Sequence, residues 1–298
     1  MKMKTPIKLL SVASASLLLA ACGGEETSDN EEASIGEQLD YTITGIEPGA
    51  GITATTERAL EEYDNLDGWE LETSSTAGMM GQLDSAYGNE EPIVITGWTP
   101  HYKFEQYDLK FLEDPEGTFG EPEFVHTMAR MGFEEDMPNA YAIMENFSWE
   151  VDDMQSIMLA AQDMEFDEAA ANWIEENQET VDSWTEGIEE ANGESIELGS
   201  FPWDSERASS AVITQVLEDH GFDVTVNNVD PSILFQALAQ GEVDVTVAPW
   251  LPTTQGAYLE EYGDEIVDMG PNMEGTVIGL VVPEYMEIDS IEDLNAPE

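Results

Sequence analysis

Three of the seven tryptophans stand where a ring can meet a ligand. Trp98 follows the apolar run Ile93-Val94-Ile95-Thr96, Trp203 follows a strand pattern at Ser195 to Leu198, and Trp250 follows Val243 to Val247. Each is expected just past the C-terminal end of a strand, beside Gly or Pro. Open α/β sheets hold their ligands at such strand ends. Large aromatics on exposed turns cost apolar exposure unless they face something. Ring faces attract a cation through their quadrupole, by roughly 0.5–2 kcal/mol each when desolvated. Three of them suit a quaternary ammonium, which has diffuse charge, an apolar surface and no N–H to satisfy. A buried carboxylate would bind it too, but would also draw inorganic cations, so an uncharged aromatic box is expected. Trp69, Trp149, Trp173 and Trp184 fall at strand or helix positions and read as packing.

An anion site for the other end of such a ligand is available at Pro48-Gly49-Ala50-Gly51-Ile52. This turn precedes a helix pattern, and its glycines let backbone N–H groups point at a carboxylate. A plain βα turn would carry the same glycines. Arg207 is the nearest basic side chain to the second Trp turn, where a purely structural role is equally open.

The elements that must bring these residues together occur twice. In the first half, Tyr41 to Thr44 alternates as a strand, Ile52 to Tyr63 has helical spacing, and Trp69 to Ser75 reads as a strand. Ala77 to Tyr87 reads as a helix closed by Gly88, and Ile93 to Thr96 is a third strand. The second half has a strand at Ser195 to Leu198, a helix at Ser205 to His220, and a strand at Phe222 to Val229. A helix then starts at Asp230-Pro231 and ends at Gly241, and the last strand is Val243 to Val247. Both are β-α-β-α-β units, and each ends in Trp with a proline two residues later. Apolar runs such as Ile93 to Ile95 and Val277 to Val282 suit strands buried on both faces of a sheet. Between the halves, Pro122 to Ala191 reads as helical, its first helix containing Phe124, Val125, Met128, Ala129 and Met131.

The ends and the charge set the compartment. Lys2, Lys4 and Lys8, an apolar run from Leu9 to Leu19, and Leu19-Ala20-Ala21-Cys22 have the order of a secretory leader. Cys22 is the single cysteine, so no intrachain disulfide is available. Residues 22–39 are polar and acidic, as a solvated tether would be. The chain has 65 acidic and 8 basic residues, a formal charge of −57. Such a chain repels nucleic-acid phosphates. The acids spread over helix faces, which suits a surface bathed in high salt, where self-repulsion is screened. No calcium-loop spacing occurs, and His101, His126 and His220 lack metal-ligand spacing. Neither a metal, a cofactor nor an enzymatic nucleophile is expected.

Taken in order, Ile46-Glu47-Pro48-Gly49-Ala50-Gly51-Ile52, Ile95-Thr96-Gly97-Trp98-Thr99-Pro100-His101, Trp203-Asp204-Ser205, Pro249-Trp250-Leu251-Pro252 and Gly279-Leu280-Val281-Val282-Pro283 resemble the glycine betaine/proline betaine substrate-binding proteins of osmoprotectant ABC importers. The likeness spans nearly the whole chain after the leader. It implies a bilobed α/β fold of the type II periplasmic-binding-protein class. It also implies a lipidated Cys22, a permease and ATPase as partners, and extracytoplasmic capture of a betaine. On this resemblance Trp98, Trp203 and Trp250 form the cage, and the amides of Gly51 and Ile52 hold the carboxylate. The implied division is a signal peptide at 1–21, a tether at 22–39, one lobe from 40–120 plus 273–298, and a second from 121–272. Close relatives carry His five residues after the last cage Trp, where this chain has Gln255. An amide there still donates a hydrogen bond but cannot charge, which bears on which betaine is preferred. Choline, carnitine or ectoine on the same fold, a ligand-sensing scaffold, and an anchored extracellular enzyme are the competing readings.

Overall fold

In the computed structural model, residues 33–297 are described. The leader and Cys22 lie outside the described residues. Chain order begins with α1 (Ile35–Gln38), β1 (Thr42–Thr44), α2 (Gly51–Glu62), β2 (Glu70–Glu72), α3 (Thr76–Asn89), β3 (Ile95–Thr99), α4 (Lys103–Gln106) and β4 (Leu109–Phe111). Then come β5 (Glu123–Arg130), α5 (Phe133–Asp136), α6 (Pro138–Asn146), α7 (Val151–Ala160), α8 (Phe166–Glu176) and α9 (Gln178–Thr185). The remainder is β6 (Ser195–Ser200), α10 (Asp204–Asp219), β7 (Asp223–Asn228), α11 (Pro231–Gln240), β8 (Val245–Thr246), β9 (Trp250–Leu251), α12 (Gly256–Tyr262) and β10 (Ile266–Pro283).

The duplication read from the sequence is visible in the strand order, β2-β1-β3-β10-β5-β8-β6-β7. In each half the first strand lies between the second and the third, and those pairings are parallel. Beside each third strand runs an antiparallel partner, β10 next to β3 and β5 next to β8. The two halves meet through β10, which pairs with β5 over Ile266 to Thr276 and with β3 over Val277 to Val281. The result is a bilobed α/β fold. Its larger buried cluster runs through both halves, and a smaller one packs α11 residues Leu234, Phe235 and Leu238 against Phe201 and Met128.

Four local expectations change. Phe124 to Met131 is not a helix: residues 123–130 are the strand β5, in the sheet between β10 and β8. A short apolar run carries no period that separates a buried strand from a helix. Here Glu123, Val125 and Thr127 are buried while Phe124 and His126 are not, and the run then becomes wholly buried at Met128 and Ala129. Trp98 lies inside β3 rather than beyond it. The helix expected over Ala77 to Tyr87 does not close at Gly88, since α3 continues to Asn89 and Glu90 takes the left-handed turn at φ 55°. Residues assigned to the tether also begin the fold: Ser34 caps α1 with a capping box, and Leu39 is buried.

The four packing tryptophans behave as their positions imply. Trp149, Trp173 and Trp184 form one cluster with Phe147 among α7, α8 and α9, with Trp173 stacked on Trp184 at 6.2 Å. Trp69 is buried edge-on against Tyr41 and donates its indole N–H to the Asn295 carbonyl.

Candidate functional site

A narrow cavity of ≈ 40 Å³ lies between the two halves. Ile46, Ala50, Gly51, Ile52, Trp98 and Ile278 line it from the first half, and Trp203, Ser205, Glu206, Trp250, Thr254 and Gln255 from the second. All five ligand-contact residues expected from the sequence therefore border one space.

Each comes from an element end. Trp98 is the penultimate residue of β3, Trp203 caps α10, and Trp250 opens β9. The peptide bonds Thr99–Pro100 and Leu251–Pro252, which follow the first and third of these, are both cis. Gly51 and Ile52 are the first two residues of the twelve-residue α2. Their amides make no hydrogen bond within the described residues, as the geometry of a helix start requires. They are two donors at the positive end of a helix, which favours an anion. Gly51 also has a steric role. A Cβ there would collide with the backbone carbonyl of Thr254 from the opposite half.

Two of the three indole N–H groups, those of Trp203 and Trp250, are fixed by carboxylates. Trp203 Nε1 donates to Glu47 Oε2 at 3.2 Å, from one half to the other. Glu47 also accepts from the Thr76 amide at 2.9 Å and the Thr76 hydroxyl at 3.0 Å. Burial pushes the Glu47 carboxyl up, but these hydrogen bonds outweigh it and hold the group below its ordinary value. Trp250 Nε1 donates to Glu206 Oε1 at 2.8 Å, and Ser205 Oγ donates to Glu206 Oε2 at 2.7 Å. Burial is the largest influence on Glu206 and pushes its carboxyl up to about 7. The site is thus not the uncharged aromatic box the sequence suggested, because a fully buried carboxyl lines it. Neither glutamate stood out in a chain with 65 acidic residues. The signal that could have found Glu206 is its place in the first turn of α10, three residues after Trp203.

Gln255 is buried beside Trp250. Its side-chain Oε1 accepts from the Trp250 backbone N–H at 2.6 Å, and its backbone N–H donates to the Trp250 carbonyl at 3.0 Å. That fixes the side-chain amide so that Nε2 is an unused donor among the described residues. Arg207 does not border the cavity; it pairs with Asp204 at 3.3 Å and lies over the Phe166 ring.

Behind Trp98 is a basic cluster that sequence reasoning missed. Lys103 is fully buried, donates from Nζ to the Trp98 carbonyl at 3.0 Å and sits 4.1 Å from the Trp98 ring centroid. Burial lowers its pKa well below the usual lysine range. His101 packs edge-on against the same ring at 4.8 Å. Burial, and then the charge of Lys103, lower its pKa as well. His126 pairs with Asp268, and His220 faces the Glu189 carbonyl, so the three histidines serve three separate places. No group of three or more potential metal ligands occurs among the described residues.

The chain resembles proteins of known role. Residues 25–176 and 194–298 match the family model described as the substrate-binding domain of ABC-type glycine betaine transport systems. The glycine betaine/carnitine transport binding protein of Listeria monocytogenes is 43% identical over 293 residues, which are 96% of this chain and 98% of that one. Among solved structures, lactococcal OpuAC in complex with glycine betaine is 40% identical over 54% of this chain and 63% of its own, with a TM-score of 0.47. The glycine betaine/L-proline-binding protein ProX of Borrelia burgdorferi is 36% identical over 50% and 57%, with a TM-score of 0.48. The alignments span less than two thirds of either solved chain. With the family model matched along most of its length, the chain belongs to the substrate-binding proteins of ABC-type glycine betaine transport systems.

Proposed function

We propose that this chain captures glycine betaine, or a closely related betaine, between its two halves and delivers it to an ABC permease. The quaternary ammonium lies among Trp98, Trp203 and Trp250, and the carboxylate accepts from the amides of Gly51 and Ile52. What supports this reading is one observation: three indoles and two unpaired helix-start amides border the same cavity. The indoles offer faces to a cation, and the amides offer donors to an anion. Those are the two ends of a betaine. Residues 40–120 plus 273–298 make one lobe on this reading, and 121–272 the other. Gln255 Nε2 is a further donor on the cavity wall.

As a substrate-binding component of an importer, the chain works on the extracytoplasmic side. No helix among the described residues is long and apolar enough to cross a membrane. Attachment through a lipidated Cys22 after cleavage of residues 1–21 fits the order basic, apolar, small, Cys. The high acid content fits work in concentrated salt.

Titration calorimetry with glycine betaine, carnitine and choline tests the ligand assignment. Glycine betaine should bind, and choline, which lacks the carboxylate, should bind more weakly. Heat with choline and none with glycine betaine would remove the role given to Gly51 and Ile52.

A further inference from the structure

Glu206 is a buried carboxyl on the wall of the cavity with no lysine or arginine within ion-pair distance among the described residues. Burying a carboxylate without a counter-charge is costly, and such groups either stay protonated or acquire a cation. Both carboxyl oxygens already accept one hydrogen bond, from Trp250 Nε1 and from Ser205 Oγ. Those bonds and the α10 N-terminus favour ionisation but do not balance a full charge. The neighbouring carboxyl of Asp204, itself paired with Arg207 at 3.3 Å, works against ionisation. The wall therefore holds an acid that lacks a cation, in a space that three indoles make suitable for one.

Resting on the betaine reading above, we infer that Glu206 is a ligand-binding residue of this site, the counter-charge for the quaternary ammonium, and that solute capture is coupled to release of the Glu206 proton. The ionised carboxylate acts twice. It attracts the ligand cation across the cavity. It also accepts the Trp250 indole hydrogen bond, which raises the electron density of the ring face offered to that cation. A role limited to anchoring Trp250 would need only an acceptor, and a glutamine supplies one.

The sign of the linkage follows from burial. Without ligand the carboxyl titrates near neutrality, and a bound cation favours the ionised form. Capture then releases protons around pH 7, and affinity rises with pH until the free protein is ionised. For a group titrating at about 7, affinity should fall by about tenfold from pH 8 to pH 6.

Calorimetry with glycine betaine tests this on the wild-type protein, in two buffers of different ionisation enthalpy. Binding at pH 8 first establishes the betaine reading; no binding there would overturn that reading and this one together. Given binding, the inference expects release of about half a proton at pH 7 and the tenfold loss at pH 6. A buffer-independent heat at pH 7 would overturn the Glu206 assignment and leave the betaine reading standing. Glu206→Gln, checked for folding by its thermal midpoint, should bind at least about tenfold more weakly at pH 8 with a flat pH profile. Affinity within twofold of wild type would mean that the residue only anchors Trp250.

Discussion

Trp203 and Glu47, from opposite halves of the molecule, are joined by a hydrogen bond from the indole N–H to the carboxylate at 3.2 Å. The Trp203 ring is thereby oriented by the half it faces. Because Glu47 is also held by both polar groups of Thr76, it is a fixed acceptor rather than a mobile one. The bond spans the two halves, so the orientation of Trp203 is tied to their approach.

Glu47→Ala should therefore weaken betaine binding by roughly tenfold to hundredfold, the worth of one hydrogen bond to a charged group at about 1.5–3 kcal/mol, and should lower the thermal midpoint, since Thr76 loses its acceptor as well. The pH dependence has a definite sign. Glu47 is held below its ordinary value in the fold, so its contribution is present at neutral pH and is lost as the pH falls through and below the usual carboxylate range. Comparing thermal midpoints of wild type and Glu47→Gln across acidic pH checks this: the gap should close toward low pH.

Gly51→Ala should act on closure. The added methyl meets the Thr254 carbonyl, which belongs to the opposite half and is backbone. Overpacking of this kind costs about 1–3 kcal/mol, so calorimetry should show a loss of roughly tenfold or more in affinity. An unchanged affinity would mean that the halves need not approach this closely.

Lys103→Met should stabilise the protein at neutral pH. Lys103 is buried with one hydrogen bond and no carboxylate within ion-pair distance among the described residues, and burial depresses its pKa. For a base whose folded pKa lies below its unfolded value, folding expels a proton, and stability rises with pH between the two. The advantage of Lys103→Met in thermal midpoint should shrink as the pH approaches the ordinary lysine value of about 10.4.

The formal charge of −57 predicts a rise in thermal midpoint from low to molar NaCl. Melting curves in a salt series read this directly, and a flat series would exclude salt screening as the use of the acidic surface.

The duplication was the most legible part of the fold. Its turn residues and apolar periods are local signals, and Asp230-Pro231 and Gly241 bound α11 as read. β5 was not legible, because Val125, Met128 and Ala129 suit either a helix or a strand until the neighbouring strands are known. Trp98, Trp203 and Trp250 stood out because each follows a strand pattern beside Gly or Pro, where open α/β sheets hold ligands. Glu47 and Glu206 did not, since in so acidic a chain a glutamate carries no information until its burial is seen. Lys103 was rare enough to notice but gave no local hint that it would lie under Trp98. Pairings made across the cleft, such as Trp203 to Glu47, depend on the assembly of both halves and leave no trace in local sequence.

The most direct test of the account is a glycine betaine titration, followed by tryptophan fluorescence, of the wild type and of Trp98→Ala, Trp203→Ala, Trp250→Ala and Trp173→Ala. The first three should each weaken binding, by roughly threefold to thirtyfold if each face contributes 0.5–2 kcal/mol. Trp173 packs with Trp149 and Trp184 away from the cavity lining, so Trp173→Ala should keep its affinity and lose about 3–5 kcal/mol of stability. Wild-type affinity in any two of the three cage variants, each shown to be folded, would contradict the cage.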